Sequence, residues 1–251
     1  MKKVVFTVLT GNYDVLQQPQ AIDPSWDYVC FTDRAEGKDG VWQIRPIPFE
    51  GIPVMRARWA KLHPHLLLPE YDISVFMDAN LCIASADFYA IADSCKAYFA
   101  VPDHCSRDCV WDELRYCFLK DKVSTSAAVN WHRYLRCMDM PRHFGLAETN
   151  ILLRRHNDPG VVAIDERWWE LLVQSRGSRD QLCFTPALQQ LALGAPEWLF
   201  GPGKNARNTD CVQYVNHPLT GKENVPGKLN WANLKYNLRL MWRKAVLPCL
   251  K

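Results

Sequence analysis

Short apolar runs that end abruptly in polar residues restrict the folds that this sequence can adopt. Residues 4–9, 26–32 and 73–77 are rich in β-branched and aromatic side chains, which is typical of buried strands. Stretches with helical periodicity alternate with such runs, and this alternation predicts an α/β fold with a mainly parallel central sheet. Ligands bind outside the carboxyl ends of the strands in such sheets, so we expect the polar residues after these runs to converge on one edge.

The same patterns continue along the chain and predict one domain with an appendage. Residues 1–223 are expected to form a single Rossmann-like domain, and residues 224–251 a basic amphipathic C-terminal helix. Pro186 lies inside a predicted helix, where a proline predicts a break or a kink. The other predicted strands cover residues 41–46 and 149–153, and the predicted helices cover residues 55–67, 87–97, 113–120, 127–138, 166–174 and 179–193.

The composition excludes several classes of protein. The chain has 251 residues, 48% hydrophobic and 23% charged, which excludes a disordered, fibrous or small disulfide-stabilised protein. No run reaches the ~20 apolar residues of a membrane span, and the apolar start is too short for a signal peptide. We expect a cytoplasmic protein whose ten cysteines are free thiols. The alternative is a zinc cluster formed by His104, Cys105, Cys109 and Cys117.

The formal net charge of +3 conceals an uneven distribution of charge. Residues 224–251 contain six basic residues and no acidic residue, so residues 1–223 carry a net charge of −3. Trp231, Leu234, Leu238, Met241 and Ala245 form an apolar helical stripe, with basic residues along one flank. This pattern fits a helix packed on the domain as well as one lying on an anionic membrane surface. The acidic body argues against nucleic acid as a partner.

Asp78-Ala79-Asn80 directly follows an apolar run and is the first candidate for chemistry. Mg²⁺ and Mn²⁺ prefer oxygen ligands such as its carboxylate and amide groups. An ordinary turn with Asx hydrogen bonds explains the same spacing. His156 and His217 are candidate third metal ligands, and for each the alternative is a structural histidine.

Residues 10–14, with the sequence TGNYD, form the second candidate. Gly11 permits a tight turn and the close approach of a ligand. Tyr13 could stack on a base, Asp14 could accept a hydrogen bond from a ribose or base, and Thr10 and Asp33 would complete the pocket. The alternative is an ordinary strand-to-helix turn. The chain has neither a Gly-x-Gly-x-x-Gly motif nor a phosphate loop, which counts against dinucleotide and P-loop enzymes.

Arg56, Arg58 and Lys61 form a cationic group in a predicted helix. Residues 58 and 61 share a helical face, whereas residue 56 lies to one side. These cations could hold a diphosphate, because arginine binds such groups bidentately, or they could form a solvated basic face.

Arg179-Asp180-Gln181 is the last candidate group, and Glu148 and Trp169 precede it in the chain. An aspartate beside an arginine and an amide can serve as a base, a nucleophile or an anchor for sugar hydroxyls. It can equally form a salt bridge at the N-terminus of a helix.

Taken in order, these residues resemble a glycosyltransferase-like family long described as a domain of unknown function. That family includes plant proteins implicated in mucilage and turgor control and bacterial proteins of surface-polysaccharide clusters. The resemblance spans about residues 5–190. It rests on Thr10-Gly11-x-Tyr13-Asp14, Cys30-Phe31-Thr32-Asp33, Arg56-x-Arg58-x-x-Lys61 with His63, Asp78-Ala79-Asn80, His104 with Arg107-x-Cys109, Gly145-Leu146-x-Glu148, Arg154-x-His156, Trp168-Trp169 and Ser178-Arg179-Asp180-Gln181.

The resemblance implies a GT-A glycosyltransferase, with one Rossmann-like domain, a nucleotide-sugar donor and a divalent ion. Asp78 and Asn80 stand at the place of the metal-binding Asp-x-Asp motif of such enzymes. The amide in place of the second carboxylate removes one negative charge, so Mn²⁺ or Mg²⁺ would bind weakly or be dispensable. If the reaction inverts, Asp180 is the first choice for the base and Glu148 the second.

The resemblance also implies the kind of acceptor. This would be a cell-surface polysaccharide, such as lipopolysaccharide or capsule, or a lipid-linked glycan, modified at the inner face of the membrane. One alternative is a metal-assisted amide hydrolase, since a plant member of the family is described as a ceramidase. The other is a non-catalytic module that binds nucleotide sugars or glycans.

Overall fold

The computed structural model describes residues 1–11, 14–34, 36–175, 179–215 and 241–244. Tyr13, His217 and most of the predicted C-terminal helix therefore lie outside the described residues. None of the helices within these ranges is long and apolar enough to cross a membrane.

Strands and helices alternate through the first half of the chain, as expected. The described strands are β1 (Lys3–Leu9), β2 (Trp26–Thr32), β3 (Gly37–Asp39), β4 (Trp42–Pro46), β5 (Ile73–Met77), β6 (Leu81–Ile83), β7 (Phe99–Val101), β8 (Ile151–Arg154), β9 (Glu197–Trp198) and β10 (Val212–Tyr214). The described helices are α1 (Pro53–Leu62), α2 (Pro64–Leu67), α3 (Asp87–Ser94), α4 (Val110–Leu119), α5 (Thr125–Cys137), α6 (Pro159–Gln174) and α7 (Asp180–Gln190).

One large sheet organises the described part of the chain, with the strand order β3-β4-β2-β1-β5-β8-β7-β9. β1 is parallel to β2 and β5, β4 is parallel to β2, and β9 is parallel to β7. β8 runs antiparallel to β5 and β7, and β3 runs antiparallel to β4. The prediction of an α/β fold with a mainly parallel central sheet is therefore confirmed.

The central strands are buried on both faces, which is why they read as continuous apolar runs. In β1, Val4 and Phe6 enter one apolar cluster and Val5 enters the other. Residues of α1 and of α4 to α7 complete the first cluster, and residues of α3 complete the second. The sheet is thus a rigid layer between two sets of helices, and the loops at its edge can carry a site.

The strand directions bring five segments of the chain to one edge of the sheet. β1, β2 and β5 are parallel, so their carboxyl ends meet there. β8 is antiparallel to β5, so its first residues lie at the same edge. β7 is antiparallel to β8, and its carboxyl end returns to that edge. The candidate residues after β1, β2 and β5 therefore share an edge with residues before β8 and after β7.

Two helix boundaries and one predicted helix break differ from the sequence prediction at prolines. The predicted helix 55–67 is divided because Pro64, which has no N–H, begins α2. α6 begins at Pro159, well before residue 166, because the Asp158 carboxylate accepts hydrogen bonds from the first backbone N–H groups. The predicted break at Pro186 is wrong. Residues 182–188 are all buried in α7, and their packing offsets a cost of roughly 3 kcal/mol for the proline.

Four residues of the predicted C-terminal helix are described, and they form a helical turn. The alternative in which the apolar stripe packs on the domain is wrong for Met241. Arg243 is buried, and it donates to the backbone carbonyls of Phe118 and Val123, whereas Met241 and Trp242 are exposed. A guanidinium can satisfy carbonyl groups at the end of α4 that a methionine cannot. The association of residues 228–251 with a membrane stays a prediction.

Candidate functional site

A cavity of about 990 Å³ opens at the sheet edge where the five segments meet. Residues after β1 and β5 and before β8 form its floor, α1 forms one wall, and residues 104–107, α4 and the start of α7 form the other. The expected convergence of polar residues is therefore found, although the role of each residue stays a prediction. The predicted residues that line this cavity are Thr10, Gly11, Asp14, Arg58, Lys61, Asp78, Asn80, Glu148, Arg179, Asp180 and Gln181.

The turn after β1 is held against α1 by three local features. Gly11 has φ +64°, a conformation that favours glycine, and a Cβ at this position would lie 3.0 Å from Cβ of Pro53. The Thr10 hydroxyl donates to the Pro53 carbonyl (2.9 Å), and the Gly11 N–H donates to Oδ2 of Asp33 (2.9 Å). Asp33 lies outside the cavity, and its carboxylate stabilises the turn by accepting the hydrogen bond from Gly11.

A partly buried ion pair joins the two walls of the cavity. Lys61 Nζ lies 2.7 Å from Oδ2 of Asp180, and the Lys61 ammonium also stands over the rings of Phe76 and Trp168. Burial would raise the pKa of Asp180, but the charges of Lys61 and Arg58 outweigh this and hold the pKa well below its ordinary value. Asp180 is therefore ionised, and it positions Lys61 in the cavity.

Besides Asp33, two predicted substrate-binding residues do not reach the cavity. Arg56 turns to the side of α1 away from Arg58, and its guanidinium donates to the Ile47 carbonyl (3.3 Å). Trp169 packs edge-on against Phe49, with ring centroids 5.6 Å apart, in an aromatic cluster behind α1. The prediction is wrong for both, because their directions depend on helix rotations that sequence spacing leaves open. The neighbouring Trp168 instead donates from its indole N–H to the Asp180 carbonyl (2.8 Å).

Asp78 and Asn80 lie in the turn that links β5 to β6. The Asp78 N–H donates to the Asn150 carbonyl (2.9 Å), and the Leu81 N–H donates to the Asp78 carbonyl (2.9 Å). Asn80 is buried, and its amide nitrogen donates to the Val215 carbonyl (3.3 Å). These bonds fix the turn at the middle of the cavity floor, between the β1 turn and the residues before β8.

The donor atoms of this turn fit a small divalent ion in part. The Asp78 carboxylate and the Asn80 amide oxygen are hard ligands of the kind that Mg²⁺ and Mn²⁺ accept, and a bound diphosphate would supply others. Within the described ranges, no three His, Cys, Asp or Glu side chains are grouped to hold a metal ion. The proposed zinc cluster around His104 therefore lacks its ligand set, and the nine described cysteines are free thiols.

His156 is not a third ligand for an ion at Asp78. It follows β8 and lies at the opposite edge of the sheet, because Arg154 pairs with Ser74 near the start of β5. His156 is completely buried, and Nε2 contacts the Leu68 carbonyl at 2.9 Å. Burial lowers the pKa of the imidazole to about 4, so it is a neutral structural histidine.

Glu148 stands at the other side of the cavity floor, just before β8. Its Oε1 lies 2.5 Å from Nη1 of Arg207, and the Asn150 amide donates to its Oε2 at 3.3 Å. Burial raises the pKa of Glu148 above its ordinary value, although Arg207 acts in the opposite direction. Glu148 is the carboxylate of this cavity that burial makes more basic.

Apart from Arg179, the far end of the cavity contains residues that sequence reasoning did not assign to a site. We call this end the β7 half, and its charged and aromatic side chains are Arg107, Glu113, Tyr116, Lys122, Arg179 and Arg207. Arg107 Nε lies 2.7 Å from Oε2 of Glu113, which is only 2% exposed. A glutamate at a buried position of a predicted amphipathic helix was the available signal, since such a carboxylate needs a cation.

No protein-family profile and no curated protein sequence matches the chain. The galactosyltransferase LgtC in complex with donor and acceptor sugar analogs matches with TM-score 0.45 and 11% identity over 96% of this chain and 95% of its own. GlyE of Streptococcus pneumoniae TIGR4 matches with TM-score 0.45 and 8% identity over 98% of this chain, and WbbM with 0.43 and 10% over 77%.

This chain spans 64% of the GlyE chain and 38% of the bifunctional glycosyltransferase WbbM. Identities of 8–11% do not transfer an activity from these proteins to this chain.

Proposed function

We propose that this chain is a GT-A glycosyltransferase that moves a sugar from a nucleotide-sugar donor to a glycan acceptor. The observation that carries this proposal is that Asp78 and Asn80 line the same cavity as Arg58, Lys61 and the Gly11 turn. A sugar nucleotide requires a pocket for the nucleoside, cations for the diphosphate and oxygen ligands for a bridging ion. The three groups provide these in one cavity at the expected edge of the sheet.

Different residues along the cavity floor bind different parts of the donor. The turn at Thr10 and Gly11, with Asp14 beside it, receives the nucleoside, and Arg58 and Lys61 neutralise the diphosphate. Asp78 and Asn80 would hold Mn²⁺ or Mg²⁺, which when bound supplies positive charge to the leaving diphosphate. Lys61 is available at this place because Asp180 holds its ammonium from the opposite wall.

Glu148 is the better base of the two carboxylates proposed from the sequence. Asp180 pairs with Lys61, and a carboxylate whose pKa is lowered in this way is a weak proton acceptor. Burial has the opposite effect on Glu148, which lies beyond Asp78 and Asn80 on the side toward the β7 half. We therefore assign deprotonation of the acceptor hydroxyl to Glu148. Asp180 instead positions the ammonium of Lys61.

The pH dependence of transfer tests this assignment. The base must be deprotonated to act, so kcat/KM should rise with pH through a pKa above the ordinary 4.5 of a glutamate. Glu148→Gln should lower kcat by about 10²–10⁴-fold and abolish this acid limb. The control Asp180→Asn should keep the limb, because Asp180 is already ionised across that range. An acid limb that persists in Glu148→Gln would overturn the assignment.

A donor screen tests the proposed function as a whole. Uridine, guanosine, adenosine and cytidine nucleotide sugars are added to the full chain, with and without Mn²⁺, and the unfolding temperature is measured. One nucleotide class should stabilise the protein, by about 2.7 kcal/mol at 100 times its Kd, and Mn²⁺ should increase the effect. The absence of a shift with every donor would refute the proposal.

Turnover separates the enzyme from the two alternatives. Binding of a donor without transfer or hydrolysis would favour a binding module, which the amide at Asn80 makes a reasonable competitor. Cleavage of ceramide without a sugar nucleotide would favour an amide hydrolase. We propose a cell-surface polysaccharide or lipid-linked glycan as the acceptor, and the six basic residues of 224–251 suit an anionic membrane surface near it.

A further inference from the structure

An unusual concentration of positive charge surrounds one aromatic ring in the β7 half. The Arg107 guanidinium lies 4.0 Å from the centroid of the Tyr116 ring, Lys122 Nζ lies at 5.2 Å and Lys120 Nζ at 5.9 Å. Each contact is favourable on its own, but three cations around one ring repel one another. Such a group is stabilised when an anion is present among the cations.

The acidic side chains of the β7 half do not supply that anion. Glu113 pairs with Arg107 and Glu148 pairs with Arg207, so each carboxylate already has a cation. Lys122 forms no ion pair within the described residues. The cavity at this end therefore has cationic charge in excess.

Arg179, at the start of α7, is a second cation in addition to Lys122 in the wall of this end of the cavity. Its Nε is buried and has no hydrogen-bond partner within the described residues, although it lies in the wall of an open cavity. Arg179 is the N-cap residue of α7, so its side chain lies at the positive end of the helix dipole, where Asp180 of the first turn supplies the negative charge that pairs with Lys61. Arg179 and Lys122 both line this cavity.

The carboxyl end of β7 lies away from the turn that we assign to the nucleotide. β1 and β7 are three strands apart in the sheet, at about 4.8 Å per strand, which separates their carboxyl ends by roughly 14 Å. Asp78 and Asn80, after β5, lie between them. Glu148 precedes β8, which adjoins β7, so the base faces a ligand in the β7 half.

We propose that the β7 half binds an acceptor that carries an anionic group, either a carboxylate or a phosphate. Lys122 and Arg179 hold this anion, and Glu148 accepts the proton of the reacting hydroxyl. This inference rests on the proposed function, and it narrows the acceptor to an acidic or phosphorylated sugar. The anion completes the charge balance around Tyr116, and its position orients the hydroxyl at the middle of the cavity.

Ligand-observed NMR with three sugars tests the proposal on the full chain. D-glucuronate, D-glucose 6-phosphate and neutral D-glucose are titrated with and without UDP, and no transfer reaction is needed. The anionic sugars should bind about tenfold more tightly than glucose, because a charge-assisted hydrogen bond contributes at least this factor. Comparison of the two anionic sugars shows whether the site selects a carboxylate or a phosphate.

Lys122→Gln should weaken binding of the preferred anionic sugar about tenfold, whereas Lys120→Gln is the matched control. Lys120 contacts the same ring but does not line the cavity, so its replacement should change the Kd by less than about twofold. Equal binding of glucose and the anionic sugars, or an unchanged Kd in Lys122→Gln, would overturn the proposal. Displacement of the anionic sugar by UDP would also overturn it, because the cations would then serve the donor diphosphate.

The result is distinguishable from failure of the proposed function. If no nucleotide binds in the donor screen but glucuronate still binds through Lys122, the anion site is supported and the glycosyltransferase proposal is refuted. If nucleotide sugars bind and are turned over but the anionic sugars bind no more tightly than glucose, the glycosyltransferase proposal is supported and the anion site is refuted.

Discussion

Arg154→Ala is expected to lower the free energy of unfolding by about 3–5 kcal/mol. Arg154 is 0% exposed, and Nη1 donates to both carboxylate oxygens of Asp165 at 2.9 Å. Alanine would leave the Asp165 carboxylate buried without its cation, which costs far more than the pair itself contributes. Urea unfolding followed by tryptophan fluorescence measures the effect.

The same residue connects stability to the site. Arg154 Nη2 donates to the backbone carbonyl of Lys61 at 2.9 Å, so β8 and α6 hold the helix that carries the cavity cations. Loss of Arg154 should therefore also displace Lys61 from Asp180. We expect a weaker donor affinity in any fraction of the variant that folds.

Two variants serve as controls for Arg154→Ala. Arg155→Ala removes the adjacent arginine, which is only half-buried, and should cost less than about 1 kcal/mol. Arg154→Met combined with Asp165→Leu removes both charges and should recover more than half of the loss, since apolar replacements of buried pairs are often tolerated. A loss in Arg154→Ala no larger than that in Arg155→Ala would contradict the interpretation.

Asp78→Ala is expected to lower kcat/KM for sugar transfer by about 10²–10³-fold without unfolding the protein. Asp78 supplies the carboxylate of the proposed ion site at the centre of the cavity floor, where negative charge develops on the leaving diphosphate. Steady-state kinetics at several Mn²⁺ concentrations measure the effect, which additional Mn²⁺ should not reverse. Thermal unfolding checks that the variant is folded.

Asp72→Ala is the matched control for Asp78→Ala. Asp72 precedes β5 as Asp78 follows it, so the two carboxylates lie at opposite edges of the sheet. Asp72 accepts a hydrogen bond from the Lys2 N–H (2.7 Å) and is exposed. Its replacement should change kcat/KM by less than about twofold. Full activity in Asp78→Ala, or equal losses in both variants, would refute the assignment of the ion site.

The positions of the site residues along the sheet could be predicted from the sequence. Strands β2 and β5 have the predicted bounds, because buried parallel strands are continuous apolar runs and a polar residue ends each one. Thr10, Asp33 and Asp78 follow such runs directly, so strand direction alone brings them to one edge. The antiparallel direction of β8 was not predictable from its own four residues.

The directions of side chains on helices and the distant partners could not be predicted. Arg56 and Trp169 point away from the cavity because small helix rotations decide which of two neighbouring residues faces inward. The partner of Glu148 is Arg207, 59 residues further along the chain, and no local pattern connects them. Which of Asp180 and Glu148 is the better base also depends on burial and on cations that are distant in the sequence.

The antiparallel direction of β8 has an evolutionary consequence. The chain leaves the sheet after Val101 and re-enters it at Ile151 on the same edge, and Asp103 forms a β-bridge with Ala147. An insertion in a loop between these two residues would change the wall that carries Lys122 without changing the strand order, provided that the core residues of α4 and α5 are kept. One end of the cavity can thus diversify through its loops separately from the segments after β1 and β5.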